Sequence, residues 1–380
     1  MKKLIRVNGL ESDVLIIDTA GSDVVIRCIP SDLSYNVLEV RNGIPYIAKV
    51  LFFIRLFVRV TQFGVKYKSL ISSIVDVINP RVIISFIDNS LIMGQLDSIF
   101  PHKLVISIQN GTRMSTGGFL NGNPNFMLPH YFSFGEYEKD VIKRYHVKCK
   151  EIYSVGSLKA GIFIDNHHES ILQTDSICLI SQHWTITDNE VINDYMEKLK
   201  CVYLNLLSWN KNHEYKIKIA MRSKKSETVY YKNESNFYSD NNITKKIELI
   251  ARTNFSSYKA GYGSSIIITM DSTLGFELLG SGKKVLFCAL TISDEFPHKE
   301  NINFILWKMP NFILLKSLEK AEFNSKINAL INMDNEEYLS LTKEAREYYM
   351  KCEKKYPHEV VSEFIADFMQ KETLRVGSNV

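Results

Sequence analysis

Residues 264–287 read SSIIITMDSTLGFELLGSGKKVLF, and this stretch decides the fold class. Residues 265–269 form a short, mainly β-branched apolar run, which predicts a buried strand. Ser272 and Thr273 favour the start of a helix, and the glycines at 280 and 282 predict its end. Lys284–Cys288 predicts a second buried strand, so the stretch forms the strand–helix–strand unit of a parallel α/β sheet.

The start of this helix is a candidate anion site. Its first turn presents backbone N–H groups and the positive end of the helix dipole, next to the hydroxyls of Ser272 and Thr273. Glu277, one turn into the helix, could accept hydrogen bonds from a diol. A phosphate beside a diol describes a nucleotide sugar. An ordinary capped helix of an α/β domain explains the same residues, and the stretch alone leaves both interpretations open.

Composition indicates a globular protein that works in the cytoplasm. The chain has 380 residues, enough for two domains, and its net charge of +4 does not favour nucleic acid as a partner. Its six cysteines form no CxxC pair, which predicts reduced thiols. The first residues lack the apolar core of a signal peptide, and no segment has the roughly 18 uninterrupted apolar residues of a membrane span.

The common nucleotide and hydrolase motifs are missing from the sequence. There is no GxGxxG, no GxxxxGK[ST], no GxSxG and no HExxH, which argues against a dehydrogenase, a P-loop NTPase, an α/β-hydrolase and a zinc protease. No acidic DxD pair follows a strand to hold a nucleotide-bound metal. We therefore expect a site without a metal or a cofactor.

A repeated order of strand, polar loop and helix predicts two doubly wound α/β domains. We assign residues 1–164 to the first domain, 165–372 to the second and 373–380 to a loose tail, with the last helices able to pack back on the first domain. The polar segment 165–175 is the predicted linker. Three further segments are predicted as a strand at 23–28, a surface excursion at 227–242 and a short helix at 245–253.

Residues 46–68 predict an amphipathic helix. Cations interrupt its apolar run at Lys49, Arg55, Arg59, Lys66 and Lys68, which gives the helix a basic face. One interpretation packs the apolar face on the first sheet and leaves the cations in solvent. The other lays the helix on an anionic membrane surface as a peripheral contact. The sequence leaves both open.

Polar residues follow two predicted strands in the first half of the chain. Asp88 comes after the strand at 81–87, where it could act as a general base or as a nucleophile on an anomeric carbon, unless it caps the next helix. Residues 109–113, QNGTR, follow the strand at 103–108 and form either a site loop or a plain turn. Glu136 begins a helix, where a carboxylate also offsets the helix dipole.

Three loops can converge on one ligand in the second half. They carry Gln182 with His183, then Arg222, then residues 271–277. Each loop follows a predicted strand, so the three are expected at one edge of a parallel sheet. Arg222 could bind a phosphate through two hydrogen bonds, and the helix start at Ser272 would hold the same oxygens. A solvated arginine and a packed loop histidine are the simpler interpretations of Arg222 and His183.

Four pieces of the sequence together resemble bacterial surface-carbohydrate transferases of the GT-B fold, related to the capsule and lipopolysaccharide transferases for Kdo-type sugars. The pieces are IDNS at 87–90, IQNGTR at 108–113, FGEY at 134–137 with VGS at 155–157, and DSTLGFE at 271–277. The His-Pro donor motif of some relatives is not evident here, and Arg222-Ser223 stands at the corresponding strand end.

The resemblance implies two Rossmann-like domains that face each other across a cleft. The first would hold the acceptor and the chemistry, with Asp88 as the catalytic residue, and the second would hold the nucleotide-sugar donor. The acceptor or sugar set is Asn89, Gln109, Asn110, Gly111, Arg113 and Glu136. The donor set is Gln182, His183, Arg222, Asp271, Ser272, Thr273 and Glu277.

The same resemblance implies a metal-independent glycosyltransferase that builds a surface polysaccharide. Relatives often use CMP-activated 2-keto sugars such as Kdo or other nonulosonates, and act on a glycan or a lipid-linked glycan at the inner face of the membrane. Two alternatives stay open. One is a polyol-phosphate transferase of similar fold, and the other is a non-catalytic nucleotide-sugar-binding protein of the same pathway.

Overall fold

The computed structural model describes residues 3–113, 126–167, 172–184, 189–239, 247–288, 290, 306, 308–352 and 354–377. The chain divides into two compact units, Met1–Ile162 with Glu353–Val380, and Phe163–Cys352. Each unit contains a six-stranded parallel sheet. Among the described residues, no helix combines the length and the apolar character that crossing a bilayer requires.

Among the described residues, the first unit contains eight strands, five complete helices in its first segment and the start of a sixth. The strands are β1 (Lys3–Arg6), β2 (Val14–Ile17), β3 (Tyr35–Leu38), β4 (Gly43–Tyr46), β5 (Val82–Ser85), β6 (Leu104–Ile108), β7 (Met127–Ser133) and β8 (Lys148–Ser154). The helices are α1 (Ser22–Ile26), α2 (Val50–Phe63), α3 (Tyr67–Ile78), α4 (Leu91–Ile99), α5 (Tyr137–Arg144) and α6 (Leu158–His167), where this part of the unit ends. The last helix of the chain, Pro357–Gly377, also belongs to this unit.

The main sheet of the first unit has the order β3-β2-β5-β6-β7-β8, and β1 pairs with β4 in a separate two-stranded sheet. Strands β2 and β5 are buried along their whole length, as expected for parallel strands covered by helices on both faces. The strand order reverses between β2 and β5, and ligands of such folds bind beyond the carboxyl ends of the strands at this reversal. Asp88 and residues 109–113 follow β5 and β6 at that edge.

The second unit repeats the architecture with a different strand order. Its strands are β9 (Thr174–Ile180), β10 (Lys216–Ala220), β11 (Ile247–Ile250), β12 (Ser264–Thr269), β13 (Lys284–Cys288) and β14 (Leu314–Leu315). Its helices are α7 (Glu190–Asn210), α8 (Thr228–Ser239), α9 (Ser256–Tyr262), α10 (Thr273–Gly280), α11 (Lys320–Asn332) and α12 (Asn335–Tyr349). The sheet order β11-β10-β9-β12-β13-β14 reverses between β9 and β12, which is the arrangement of a Rossmann domain.

The stretch that was expected to decide the fold forms β12, α10 and β13, so that prediction is confirmed. Strands β12 and β13 pair in parallel through residues 266–269 and 284–287. Helix α10 returns closely over the sheet at Gly275, where an added Cβ would lie 2.6 Å from Cγ2 of Thr269. A side chain at position 275 would therefore push the helix away from the strand.

Three secondary-structure predictions are wrong. Residues 23–28 lie largely in α1, which begins after Gly21 at a φ of 75°, because a short β-branched run does not by itself distinguish a strand from a helix. Residues 227–242 contain α8, whose Glu234 and Tyr238 are buried one turn apart. Residues 247–250 form β11 rather than a helix, because pairing with β10 outweighs the local pattern.

The connections also differ from the expected ones. Residues 165–167 of the predicted linker are helical, and residues 168–171 lie outside the described residues. The first segment of the first unit ends at Ile162, two residues before the predicted boundary. The expected loose tail is helical as far as Gly377, and residues 378–380 lie outside the described residues. The predicted helix at 46–68 is interrupted at Gly64, whose φ of 76° ends α2.

Candidate functional site

A buried carboxylate lies beyond the end of β5. Asp88 is fully buried, and it accepts hydrogen bonds from Nε and Nη2 of Arg113, the former at 2.9 Å. The hydroxyl of Tyr131 donates a third bond to Asp88 at 3.0 Å. The N-cap of α4 is Ser90, so capping of that helix does not explain a carboxylate at position 88. The ion pair instead fixes the orientation of both Asp88 oxygens.

The loop at 109–113 is held tightly from both sides. Gln109 is 1% exposed, its Oε1 accepts a bond of 2.6 Å from the Phe134 N–H, and its Nε2 donates to Glu138 at 2.7 Å. Arg113, at the other end, donates to Asn110 at 2.8 Å. The loop therefore belongs to one polar network with Asp88, the β7–α5 connection and the start of α5. Asn89 is partly buried beside this network.

Glu138, two residues after the predicted site residue Glu136, is a member of this network. Glu136 is exposed at the N-terminus of α5 and forms an ion pair with Lys139 at 2.9 Å. Glu138 is 1% exposed and accepts bonds from Gln109 and from the Gly135 N–H. Burial raises the pKa of the Glu138 carboxyl to about 7, against the opposing effect of these hydrogen bonds. The sequence signal for Glu138 was its spacing from Glu136. Two residues apart on a helix, the two side chains face roughly opposite sides, so Glu138 faces the interior when Glu136 is exposed.

The raised pKa of Glu138 predicts a pH dependence of stability. The folded protein binds this proton more tightly than the unfolded chain, whose pKa is about 4.5, so the free energy of unfolding should fall as pH rises from about 4.5 to about 7. The total fall attributable to Glu138 should be about 3 kcal/mol. Urea unfolding of wild type and Glu138→Gln across this interval measures it.

The variant should have the flatter profile, and Glu136→Gln should retain the wild-type slope, because Glu136 is exposed. Equal slopes for wild type and Glu138→Gln would contradict the assignment.

In the second unit, two residues of the predicted donor set are hydrogen-bonded to each other at the point where the strand order reverses, between β9 and β12. Gln182 follows β9, and its Nε2 donates to Oδ1 of Asp271, while the Asp271 N–H donates back to Oε1 of Gln182 at 3.0 Å. The hydroxyl of Tyr195 donates to Asp271 at 3.1 Å. Burial raises the pKa of the Asp271 carboxyl, and the bonds from Gln182 and Tyr195 oppose this shift.

Arg222 lies against the same edge of the sheet, beyond β10. Its guanidinium carbon is 3.6 Å from the centre of the Trp184 ring, and its Nη1 donates to the carbonyl of His183 at 3.4 Å. A cavity of about 410 Å³ opens here, and Arg222 and Arg252 are both in its wall. Partial burial and the charge of Arg252 lower the pKa of Arg222, and an arginine remains a cation at neutral pH.

The walls of this cavity carry the groups that a nucleotide diphosphate or monophosphate needs. Trp184 is 47% exposed and offers an aromatic face, and two guanidinium groups offer bidentate bonds to phosphate. The described lining residues are His183, Trp184, Ile192, Arg222, Ser223, Glu227, Tyr230, Glu234 and Arg252. Burial lowers the pKa of His183, which favours its neutral form.

A second buried carboxylate organises this cavity, and the sequence did not identify it. Glu234, in α8, is 1% exposed and accepts bonds from the N–H groups of Arg222 at 2.8 Å and Ser223 at 2.9 Å. The hydroxyls of Ser181 and Ser223 also donate to Glu234. One carboxylate therefore ties the loop after β9 to the loop after β10. The signal available in the sequence was the spacing of Glu234 and Tyr238, which are one helical turn apart in an otherwise polar segment and therefore share one face of a helix.

The described residues that line this cavity do not include the start of α10, which directly follows Asp271. Ser272 is the N-cap of α10, although its side chain makes no capping bond, and Thr273 is the first helical residue. Glu277 is 4% exposed and accepts a bond of 2.7 Å from the Tyr258 hydroxyl in α9. The structure thus brings Gln182, His183, Arg222 and Asp271 together. Ser272 and Thr273 follow Asp271 at the start of α10, and Glu277 is buried one turn further along that helix.

Comparison with known proteins identifies the architecture. Residues 106–372 match a protein family described as "putative O-antigen biosynthesis protein". A comparison with curated proteins gives no match. Among solved structures, the chain is similar to the UDP-GlcNAc 2-epimerase of Methanocaldococcus jannaschii in complex with UDP-GlcNAc and UDP, with 12% identity, a TM-score of 0.52, and coverage of 96% of this chain and 99% of that one.

Two further solved structures extend the comparison. UDP-GlcNAc 2-epimerase from Neisseria meningitidis shares 13% identity and a TM-score of 0.52, with 97% of this chain and 100% of that chain covered. The H548A form of the wall teichoic acid polymerase TagF shares 10% identity and a TM-score of 0.57, with 96% and 91% covered. The chain has the GT-B fold of these proteins, which confirms the fold and the resemblance to surface-carbohydrate enzymes drawn from the sequence.

Proposed function

The chain belongs to the O-antigen biosynthesis family that matches residues 106–372, and we propose that it is a glycosyltransferase. It transfers a sugar from a nucleotide donor to a surface-polysaccharide acceptor. The observation that carries this proposal is the cavity beyond β9 and β10, which has two arginines in its wall and lies next to the strand reversal of a Rossmann sheet. Sugar nucleotides fit such a site because it combines an aromatic face with guanidinium groups.

The second unit supplies the donor-binding residues in this proposal. Arg222 binds the donor phosphate with the N-terminus of α10 at Ser272 and Thr273, where backbone N–H groups and the helix dipole favour an anion. Gln182 and Asp271 form a bonded pair that shapes the crevice, with His183 beside it. Glu277 holds the ribose hydroxyls.

The first unit supplies the chemistry. Asp88 takes the proton from the acceptor hydroxyl while that oxygen displaces the donor phosphate from the anomeric carbon. Alternatively, Asp88 displaces the phosphate itself and is then displaced by the acceptor hydroxyl, whose proton passes to the released phosphate. The ion pair with Arg113 sets the orientation of Asp88. The residues at 109–111, with Asn89 and Glu136, orient the sugar or the acceptor. The remaining catalytic contribution is positioning, together with stabilisation of the leaving phosphate by the donor-site cation.

The donor in this proposal is a CMP-activated 2-keto sugar such as Kdo or another nonulosonate. The epimerases of similar fold were solved with UDP-GlcNAc, so UDP-GlcNAc is the main competing donor. Thermal-shift screening with CMP, UDP, GDP and CDP separates these classes. We expect CMP to raise the melting temperature most. If another nucleotide raises it more, the donor carries that nucleotide instead of CMP.

Turnover distinguishes an enzyme from a binding protein. Purified protein should release nucleotide from the correct donor, and faster when a glycan acceptor is present. Stabilisation by the donor without any nucleotide release or transfer would favour a non-catalytic binding protein. Activity with a CDP-linked polyol alone would favour a polyol-phosphate transferase.

The acceptor is, in this proposal, a glycan carried on a lipid, and the protein works in the cytoplasm at the inner face of the membrane. The supporting observation is membership of an O-antigen biosynthesis family. Comparison of a lipid-linked acceptor with its water-soluble glycan tests this point. Equal transfer to both would show that the lipid is not part of the recognised acceptor.

Glu277 provides a test of the donor site. Glu277→Ala should weaken nucleotide binding by about 1–3 kcal/mol, the cost of losing a hydrogen bond to a charged group. Tyr258→Phe should weaken it less, because it removes only the bond that steadies the carboxylate. Calorimetry with the nucleotide identified by the thermal screen measures both. Unchanged affinity in a folded Glu277→Ala variant would exclude Glu277 from the site.

A further inference from the structure

Helix α2 carries a continuous apolar face that no described part of the chain covers. Successive residues of an α-helix are about 100° apart, so the exposed apolar side chains occupy one arc of about 160°. Val50 is 77% exposed and Phe57 is 71% exposed, and the exposed side chains form one patch rather than scattered single residues. The arc contains Val50, Leu51, Phe53, Ile54, Phe57 and Val58. Exposed apolar surface of this kind marks an interaction site.

The opposite side of α2 fixes the helix to the protein. Phe52 is 1% exposed in the core, and Arg59 donates two hydrogen bonds to Asp76 in α3 at 2.8 and 2.9 Å. The Arg59 guanidinium also lies 4.9 Å from the centre of the Phe100 ring. The core-facing interpretation of this helix therefore accounts for only one of its two faces, and Arg59 belongs to the packed face.

The segment that carries the outward face contains charges of one sign only. No Asp or Glu occurs between residues 47 and 75. Arg55 and Lys66 are exposed, and Lys68 is partly buried with its amine 4.5 Å from the centre of the Phe63 ring. Lys49 is at the start of the helix, where its amine donates to the carbonyl of Gly9. The exposed cations of this segment are thus Arg55 in α2 and Lys66 just beyond it, and the segment contains no acid.

We propose that this face of α2 docks on an anionic membrane surface, with the arc inserted at the level of the lipid headgroups. An apolar arc flanked by cations matches a bilayer that carries anionic lipids. A second copy of the chain is a poorer match, because a two-fold contact through this face would set two segments that each carry cations and no acid against one another. The proposal concerns binding and does not depend on the transfer reaction.

Sedimentation with vesicles tests the proposal. The 380-residue protein should bind vesicles that contain phosphatidylcholine and phosphatidylglycerol, and it should bind vesicles of phosphatidylcholine alone more weakly. Binding to the anionic vesicles should fall progressively as the salt concentration rises. Phe53→Ser with Phe57→Ser should lower the partition coefficient by at least about a hundredfold, because the variant lacks the two phenyl groups whose transfer from water into the bilayer favours binding. Arg55→Glu with Lys66→Glu should lower it by about 30-fold or more.

Matched substitutions on the second unit serve as controls. Val229→Ser with Leu341→Ser removes exposed apolar side chains, and Lys200→Glu with Lys320→Glu reverses exposed charges, so both should bind vesicles as wild type does. Nucleotide release in solution should be unchanged in all four variants, which separates a failure of docking from a failure of the proposed reaction. Absence of wild-type binding, or equal binding by the α2 variants, would overturn the proposal. A dimer that Phe53→Ser with Phe57→Ser dissociates would also overturn it.

Discussion

Asp88→Asn is expected to reduce sugar transfer by about 10²–10⁴-fold while donor affinity stays unchanged. General acid–base catalysis contributes a factor of this size, and an asparagine amide accepts no proton at neutral pH. The residues proposed to bind the donor all belong to the second unit, whereas Asp88 belongs to the first. Separate measurements of donor affinity and of transfer rate, on the same preparation, distinguish a catalytic loss from a binding loss.

The substitution should also lower stability, because it leaves Arg113 without its anionic partner in a buried place. Removing one member of a buried ion pair typically costs about 3–5 kcal/mol. The double variant Asp88→Asn with Arg113→Gln removes the unpaired charge as well. It should regain part of the free energy of unfolding without regaining transfer.

Asp97→Asn is the matched control within the same unit. Asp97 is a buried carboxylate of α4 that pairs with Lys150 at 3.0 Å, and it has no part in the proposed site. It should lose stability but keep transfer. If Asp88→Asn transfers sugar at a rate near that of wild type, or if Asp97→Asn loses transfer equally, Asp88 is a structural residue only.

The strand–helix–strand unit of β12, α10 and β13 follows from local signals in the sequence. Residues 264–287 contain a β-branched run, a pair of N-cap residues and two glycines, and each of these acts within one or two turns of chain. Parallel α/β units leave few ways to arrange such elements. The places where the prediction failed, such as β11 and α8, depend on partners far away in the chain, which a local pattern does not contain.

The candidate site also contains residues that local sequence could identify and residues that it could not. Asp88 and residues 109–113 could be found because polar groups at the carboxyl ends of apolar strands have no packing reason to be there. Their partners could not be found, because the Tyr131 hydroxyl and the Glu138 carboxylate reach them only after the strands are placed side by side. Burial distinguishes Glu138 from Glu136, and two carboxylates at the start of one helix look alike in sequence.

Glu234 gives the second large expected effect. Glu234→Ala should weaken donor binding by at least about tenfold, because its carboxylate holds the loops that carry Ser181, Arg222 and Ser223 in the cavity wall. Each buried donor left without an acceptor costs about 1–3 kcal/mol, so the free energy of unfolding should fall by more than about 3 kcal/mol. Glu234→Gln keeps one acceptor oxygen and should lie between wild type and Glu234→Ala in both measurements.

The comparison that isolates positioning from stability is Glu322→Ala. Glu322 lies in the same unit, and it also accepts bonds from a backbone N–H, of Lys316 at 3.0 Å, and from a hydroxyl, of Ser317 at 2.6 Å. It does not line the cavity, so its loss should lower stability without lowering donor affinity. Calorimetric titration with nucleotide, together with urea unfolding, measures the two effects separately. A folded Glu234→Ala variant that binds the donor as tightly as Glu322→Ala does would show that Glu234 supports the fold alone, and that the position of Arg222 does not depend on it.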